Sequence, residues 1–149
     1  METTVRVVPE GYHTVTQSLV VKGADRLLQF LKEGLGGKES GVFRMPNGTI
    51  AHAEVTIGDT RLMIGEETTE WPAMPGRAYV YVKDADASYR QALQAGAISL
   101  REPADQFYGD RTATVRDPVG NVWTFAAHKE DLSGEEQMRR LAAQNISRA

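Results

Sequence analysis

Residues 19–31 read LVVKGADRLLQFL, and residues 80–93 read VYVKDADASYRQAL. Val-Lys-Gly-Ala-Asp at 21–25 returns as Val-Lys-Asp-Ala-Asp at 82–86, 61 positions later. A match this short arises readily by chance, so the weight falls on what surrounds it. Upstream of the first copy the chain alternates from Thr14 to Val21. Val15, Leu19 and Val21 are apolar, while Thr14, Thr16 and Ser18 are small and polar, the period of a half-buried strand. Downstream, Leu27, Leu28 and Leu31 fall at helical spacing with Phe30 beside them, and Gly34, Gly36 and Gly37 close the helix. SGVFRMP (40–46), closed by a Pro-Asn-Gly turn, reads as a strand, IAHAEVTI (50–57) as a second, and TRLMIGEE (60–67) as its return across a Gly-Asp turn.

The second copy repeats the order. TTEWPAMPG (68–76), with two prolines and little periodicity, is a linker. RAYVYV (77–82) alternates as a strand. DADASYRQALQAGA (84–97) is a helix that Asp84 or Asp86 can cap and Gly96 can end. ISLREP (98–103) is a short strand, and RTATVRDP (111–118) with NVWTFAA (121–127) makes a hairpin around DPVG. The 61-residue offset carries Asp59 onto Gly120 and Met63 onto Thr124, in matching turns and strands. The prediction is an α+β fold in one domain: a βαβββ module over about 13–66, a linker at 67–76, a second module over about 77–128, and a C-terminal helix over about 133–145. Ser133 and Glu136 supply that helix with capping-box spacing, and Met138, Leu141 and Ala142 give it one narrow apolar stripe. A twofold repeat is too short for a solenoid, which needs about three or more units. It pairs two small sheets instead, each with one face on its helix and one face free.

Composition narrows the function. A chain of 149 residues suits a single sizeable core. The net charge of −3 offers no electrostatic case for nucleic acid. There is no cysteine, which excludes disulfides, thiolate metal sites and a cysteine nucleophile. The opening METTVRVVPEGYH lacks a signal-peptide pattern, and no stretch approaches the roughly 20 apolar residues that span a bilayer, so a cytoplasmic protein with no membrane association is expected.

The doubled βαβββ order, with DPVGNVWTFAAHKED (117–131) closing the second copy, resembles the vicinal oxygen chelate superfamily of glyoxalase I, extradiol dioxygenases, and fosfomycin and bleomycin resistance proteins. GDRTATVRDPVGNVWTFAAHKEDL (109–132) with MPNGTIAHAEVTIGD (45–59) is similar to its PhnB-like branch. The resemblance covers roughly residues 13–132. It implies curved mixed sheets around a cavity, helices on the outer faces, and a homodimer. On that plan Val15, Leu19, Val21, Ala78, Val80 and Val82 lie under the helices. Thr14, Thr16, Ser18, Val20, His52, Glu54, Thr56, Arg77, Tyr79, Tyr81, Thr124 and Ala126 face the cavity, and Trp123 and Phe125 face the core.

The resemblance also implies one metal ligand on each of the first, fourth, fifth and eighth strands. The equivalent positions are Thr16, Met63, Arg77 and Thr124. None offers the imidazole or carboxylate that a divalent ion needs in a chain without cysteine. No cofactor is therefore expected, with a divalent metal left open only at His52 and Glu54, which stand two apart on one strand face. That pair can equally serve as a general base with its orienter, or make ordinary hydrogen bonds. His13 and His128 flank the domain and read as surface or interface residues.

The remaining polar inventory suits a small ligand. Arg77 carries a planar fork that matches carboxylate or phosphate, and it can equally pair with Glu54. Tyr79 and Tyr81 offer flat area with hydroxyls, or a plain aromatic stripe. Tyr108 and Arg111 belong to the loop DQFYGDR (105–111), which pivots on Gly109. Two functions follow: a metal-free binding protein for a small aromatic or anionic molecule, or a lyase or isomerase of glyoxalase type with His52 and Glu54 as acid and base.

Overall fold

The computed structural model describes residues 4–148. In chain order the elements are β1 (Ser18–Val21), α1 (Ala24–Leu35), β2 (Lys38–Arg44), β3 (Ile50–Ile57), β4 (Thr60–Glu66), β5 (Arg77–Tyr81), α2 (Ala85–Gln94), β6 (Ile98–Asp105), β7 (Asp110–Arg116), β8 (Val122–His128) and α3 (Gly134–Arg148). The strand order is β1-β4-β3-β2 in one sheet and β5-β8-β7-β6 in the other. In each, the first strand runs parallel to the last and the other pairs are antiparallel. The duplication holds at the level of register. Ser18 stands opposite Met63 and Tyr79 opposite Thr124, each pair displaced by the same 61 residues.

Contacts divide the chain into two compact units, one running to Gly76 with Pro118–Gly120, the other comprising Arg77–Asp117 and the chain from Asn121. In the first, Leu27, Leu28, Phe30 and Leu31 of α1 are buried with Leu19, Val21, Ala53, Val55, Leu62 and Ile64 of the sheet. This is the helical stripe meeting one face of an alternating sheet. The first amides of α1 are satisfied from outside the helix. Glu66, at the end of β4, accepts from the Gly23 N–H at 3.0 Å and the Ala24 N–H at 2.7 Å. Its negative charge there also suits the positive end of the helix dipole.

In the second unit the Asp84 carboxylate accepts the Ala87 N–H and caps α2. Trp123, Phe125, Ala113 and Val115 are buried. The Asp-Pro-x-Gly-x-x-Trp hairpin has a physical reason. Asp117, 4% exposed, accepts the Asn121 N–H at 3.0 Å and the Trp123 indole N–H at 2.8 Å. One carboxylate thus closes the turn and fixes the core indole.

Two expectations are corrected. β1 begins at Ser18, not Thr14, and Val15 is 86% exposed instead of lying under the helix. Alternation makes a segment able to line a sheet, but a strand needs a backbone neighbour. That pairing starts only where the Met63 N–H meets the Gln17 carbonyl. Further up, the Tyr12 ring packs on the Arg61 guanidinium, 5.0 Å from the ring centre. Ala126 stands on the same strand face as Thr124, opposite Tyr81 and Thr112, and is fully buried there. Finally, α3 extends to Arg148 and realises half of its capping box. Ser133 Oγ accepts the Glu136 N–H, while the Glu136 carboxylate turns to Arg139 and Arg140. Among the described residues no helix is long and apolar enough to cross a membrane.

Candidate functional site

Each sheet turns one face to its helix and leaves the other free. On the first, Glu54 sits between Gly41 and Met63, and His52 lies opposite Phe43. The Phe43 and His52 ring centres are 6.4 Å apart, and His52 Nε2 is 4.0 Å from Glu54 Oε1. This separation exceeds a hydrogen bond, and the His52 side chain is 42% exposed. Thr16 precedes β1 and is only partly buried.

The positions expected to hold a metal can be placed by register. Met63 faces Ser18 across the sheet, and Thr124 faces Tyr79. Thr16 and Arg77 each stand two residues before those rows. Thioether, hydroxyl and guanidinium groups do not make a donor set for a hard or borderline divalent ion. Among the described residues no three His, Asp or Glu side chains gather to hold one.

The free face of the second sheet is more tightly built. Tyr79 and Tyr81 project from β5, their rings edge to face with centres 5.4 Å apart, and they are 43% and 69% exposed. Beside them Thr124 Oγ1 lies 2.9 Å from Thr114 Oγ1. The Tyr79 hydroxyl donates to Asp110 Oδ2 at 2.5 Å and lies 3.2 Å from the Tyr108 hydroxyl. Asp110 is buried, and its Oδ1 is 2.7 Å from His128 Nδ1. The other ring nitrogen, Nε2, is 2.7 Å from Asp131. A carboxylate at each nitrogen favours the doubly protonated ring, and the hydrogen bonds to Asp131 and Asp110 raise its pKa. Burial and the hydrogen bond to Asp110 push the Tyr79 phenol well above its ordinary value, so it stays protonated.

Local geometry holds this cluster in place. Gly109 has φ +99°, and a side chain there would put Cβ 2.4 Å from the Glu130 carbonyl oxygen. Only glycine fits, and the turn it permits sets Tyr108 and Asp110 at the head of β7. The Gly109 carbonyl accepts from Lys129 and Glu130, tying that turn to the chain just after β8. Beside the cluster an open hollow of about 440 Å³ is lined by Asp105, Gln106, Gly109, Asp110, Lys129, Glu130 and Arg140.

Of the residues expected to form a site, Tyr79, Tyr81, Tyr108 and Thr124 belong to this one face or its adjoining turn. Arg77 opens β5 two residues before Tyr79 and is exposed. Arg111 lies elsewhere. It alternates with Asp110 and Thr112 on β7, and its guanidinium grips Asp86 of α2 at 2.7 and 3.1 Å and Asp105 at 3.2 Å. Asp110 was not singled out from sequence, and His128 was read there as a surface or interface residue. A signal was present: the polar alternation of Thr112 and Thr114 extends back to Asp110, and His128 keeps the strand-face period of Thr124.

The comparisons with known proteins agree with the duplicated architecture. A curated but uncharacterized protein of Mycobacterium bovis is 26% identical over 137 residues, 85% of this chain and 90% of that one. TioX from Micromonospora sp. ML1 superposes with a TM-score of 0.61 at 24% identity, covering 76% of this chain and 98% of that one. A glyoxalase/bleomycin resistance protein/dioxygenase from Nocardioides has a TM-score of 0.61 at 22% identity, covering 89% and 90%. At these identities the solved structures speak for the fold alone. Residues 12–125 match the Glyoxalase/Bleomycin resistance protein/Dioxygenase superfamily as a whole, and with the doubled strand order and the Asp117–Trp123 hairpin on the page, the chain belongs to that superfamily.

Proposed function

We propose that this chain is a metal-free binding protein that sequesters or senses a small aromatic or anionic molecule on the free face of its second sheet. The observation that carries the reading is the exposed Tyr79–Tyr81 pair, set over hydroxyl-bearing neighbours where an ion-binding member would need imidazole or carboxylate. Partly exposed aromatic rings with a few fixed polar groups are what small-molecule sites consist of. Arg77, on the same strand face, adds a planar cation suited to a carboxylate.

The test is a calorimetric screen of small aromatic acids and phenols. Binders should lose at least about tenfold in affinity when Tyr79 and Tyr81 are both replaced by alanine, since stacking and area burial act there. Arg77→Ala should weaken carboxylates more than neutral phenols. Affinities unchanged in the Tyr79→Ala/Tyr81→Ala variant would overturn the reading.

A second reading rests on His52 and Glu54 sharing a strand face in the first unit. There the chain is a lyase or isomerase with this pair as acid and base. Glu54→Gln separates the two: it abolishes turnover on the second reading and leaves ligand affinity intact on the first.

A further inference from the structure

Arg61 lies on the free face of the first sheet. On β4 it alternates with Leu62 and Ile64, which are buried on the helix side, and it stands opposite Thr56 of β3. The chain ahead of β1 comes back over it. The Tyr12 N–H donates to the Pro9 carbonyl at 3.1 Å, and from that turn the Tyr12 ring centre lies 5.0 Å from Arg61 Cζ. Gly11 approaches so closely that a Cβ there would stand 2.8 Å from Arg61 Nη2 and 3.1 Å from Cζ. Arg61 Nε and the Tyr12 hydroxyl are both buried, and neither has a hydrogen-bond partner. Arg44, Arg111, Arg139 and Arg140 each hold a carboxylate. Among the described residues no carboxylate holds Arg61. Glu54, on the neighbouring strand, has its Oε1 4.0 Å from His52 instead.

Buried donors are almost always paired, and a cation taken from water without a counter-charge costs more than a neutral group. Two orphan donors in one contact, one of them cationic, call for an acceptor with negative charge. We infer that Arg61 and Tyr12 form a binding site for the carboxylate of a small molecule. The Nε and Nη2 edge of the guanidinium matches the two carboxylate oxygens, and the Tyr12 O–H supplies a further donor. The segment that covers this edge is lightly fastened. Val5, Val7 and Val15 are exposed, and the backbone of the first sheet takes hold only where the Met63 N–H meets the Gln17 carbonyl. The Pro9–Tyr12 turn can therefore lift from Arg61 and close on a ligand without breaking the sheet. The site belongs to the first unit and does not rest on the aromatic reading of the second.

The experiment titrates the full chain with acetate and with acetamide, its neutral counterpart of the same shape, following amide and arginine Nε–H resonances by NMR. Acetate should give saturable shifts at Gly11, Tyr12 and the Arg61 Nε–H, and should bind at least about tenfold more tightly than acetamide. Arg61→Lys keeps the charge but loses the fork, and should weaken acetate at least about fivefold. Tyr12→Phe should weaken it about threefold. The same variant gives a second readout. Without carboxylate its urea midpoint should equal or exceed that of the parent, because the hydroxyl removed had no partner, and acetate should raise it less. Acetate that shifts none of these resonances overturns the inference. So does equal affinity for acetate and acetamide, or acetate binding that survives Arg61→Lys unchanged. A Tyr12→Phe midpoint below that of the parent without carboxylate also overturns it, since the hydroxyl was then already paired.

Discussion

The two sheets share one backbone plan and differ in how their free faces are wired. Across the first sheet a row runs Ser18, Met63, Glu54 and Gly41, and the matching row of the second runs Tyr79, Thr124, Thr114 and Arg101. The first offers a histidine and a carboxylate 4.0 Å apart. The second holds Tyr79, Asp110, His128 and Asp131 in a continuous set of bonds of 2.5 to 2.7 Å. The lesson is that duplication preserved register, which the hydrophobic faces enforce, and left the free faces to diverge, because no core constrains them. Groups that hold one another at hydrogen-bond distance keep their geometry when a ligand arrives. A loose pair does not.

The comparison can be broken most sharply at the two last hairpins. Asp117→Ala strands a buried indole N–H and a backbone amide, at a cost of about 3 kcal/mol. Asp59→Ala, in the matching turn, loses only an exposed contact with Thr60 and should cost almost nothing. Urea unfolding midpoints measure both. Equal costs would mean that the Asp117 anchor contributes little and that the two modules are held alike.

The next effect lies at the turn glycines. Gly109→Ala forces a Cβ against the Glu130 carbonyl at positive φ and should destabilise by about 2–3 kcal/mol, while displacing Tyr108 and Asp110. Gly58→Ala has positive φ as well but meets open space, so about 1 kcal/mol is expected. If the two variants melt together, the close approach at Gly109 is not a constraint.

A smaller effect concerns pH. The folded pKa of His128 is raised above the unfolded value of about 6.5. Its contribution to stability is therefore complete below that value and is lost as pH rises through the folded pKa. Parent protein should lose stability across that window relative to His128→Gln. The bond that loosens is the one to fully exposed Asp131, since buried Asp110 keeps its hold on Nδ1. Parallel pH profiles for parent and variant would contradict this. The smallest effect is expected at Arg44, whose bidentate pair with Asp25 on the first unit is exposed. Arg44→Ala should leave the unfolding midpoint within experimental scatter.

How much of this was legible from residues alone varies by place. The doubled phrase at 21–25 and 82–86 foretold both modules, and the leucines of α1 named their own buried face, because burial imposes a period that a linear sequence records. The polar alternation on β5 likewise put Tyr79 and Tyr81 on one face. The start of β1 was not legible, since Thr14–Thr16 carries the pattern of a strand without the ladder pairing that makes one. Nor was the direction of Arg111, whose choice of Asp86 depends on where α2 docks.

What the sequence determined by itself is therefore the local and the periodic: which segments are helices and strands, which face of each is apolar, and that the unit occurs twice. Only the tertiary structure decided that Tyr79, Asp110 and His128 meet. Tyr79 lies 31 residues from Asp110, and β8 stands between their two strands in the sheet. The pairing of three strands sets that meeting, and no short-range period in the chain encodes which row of one strand lies against which row of the next.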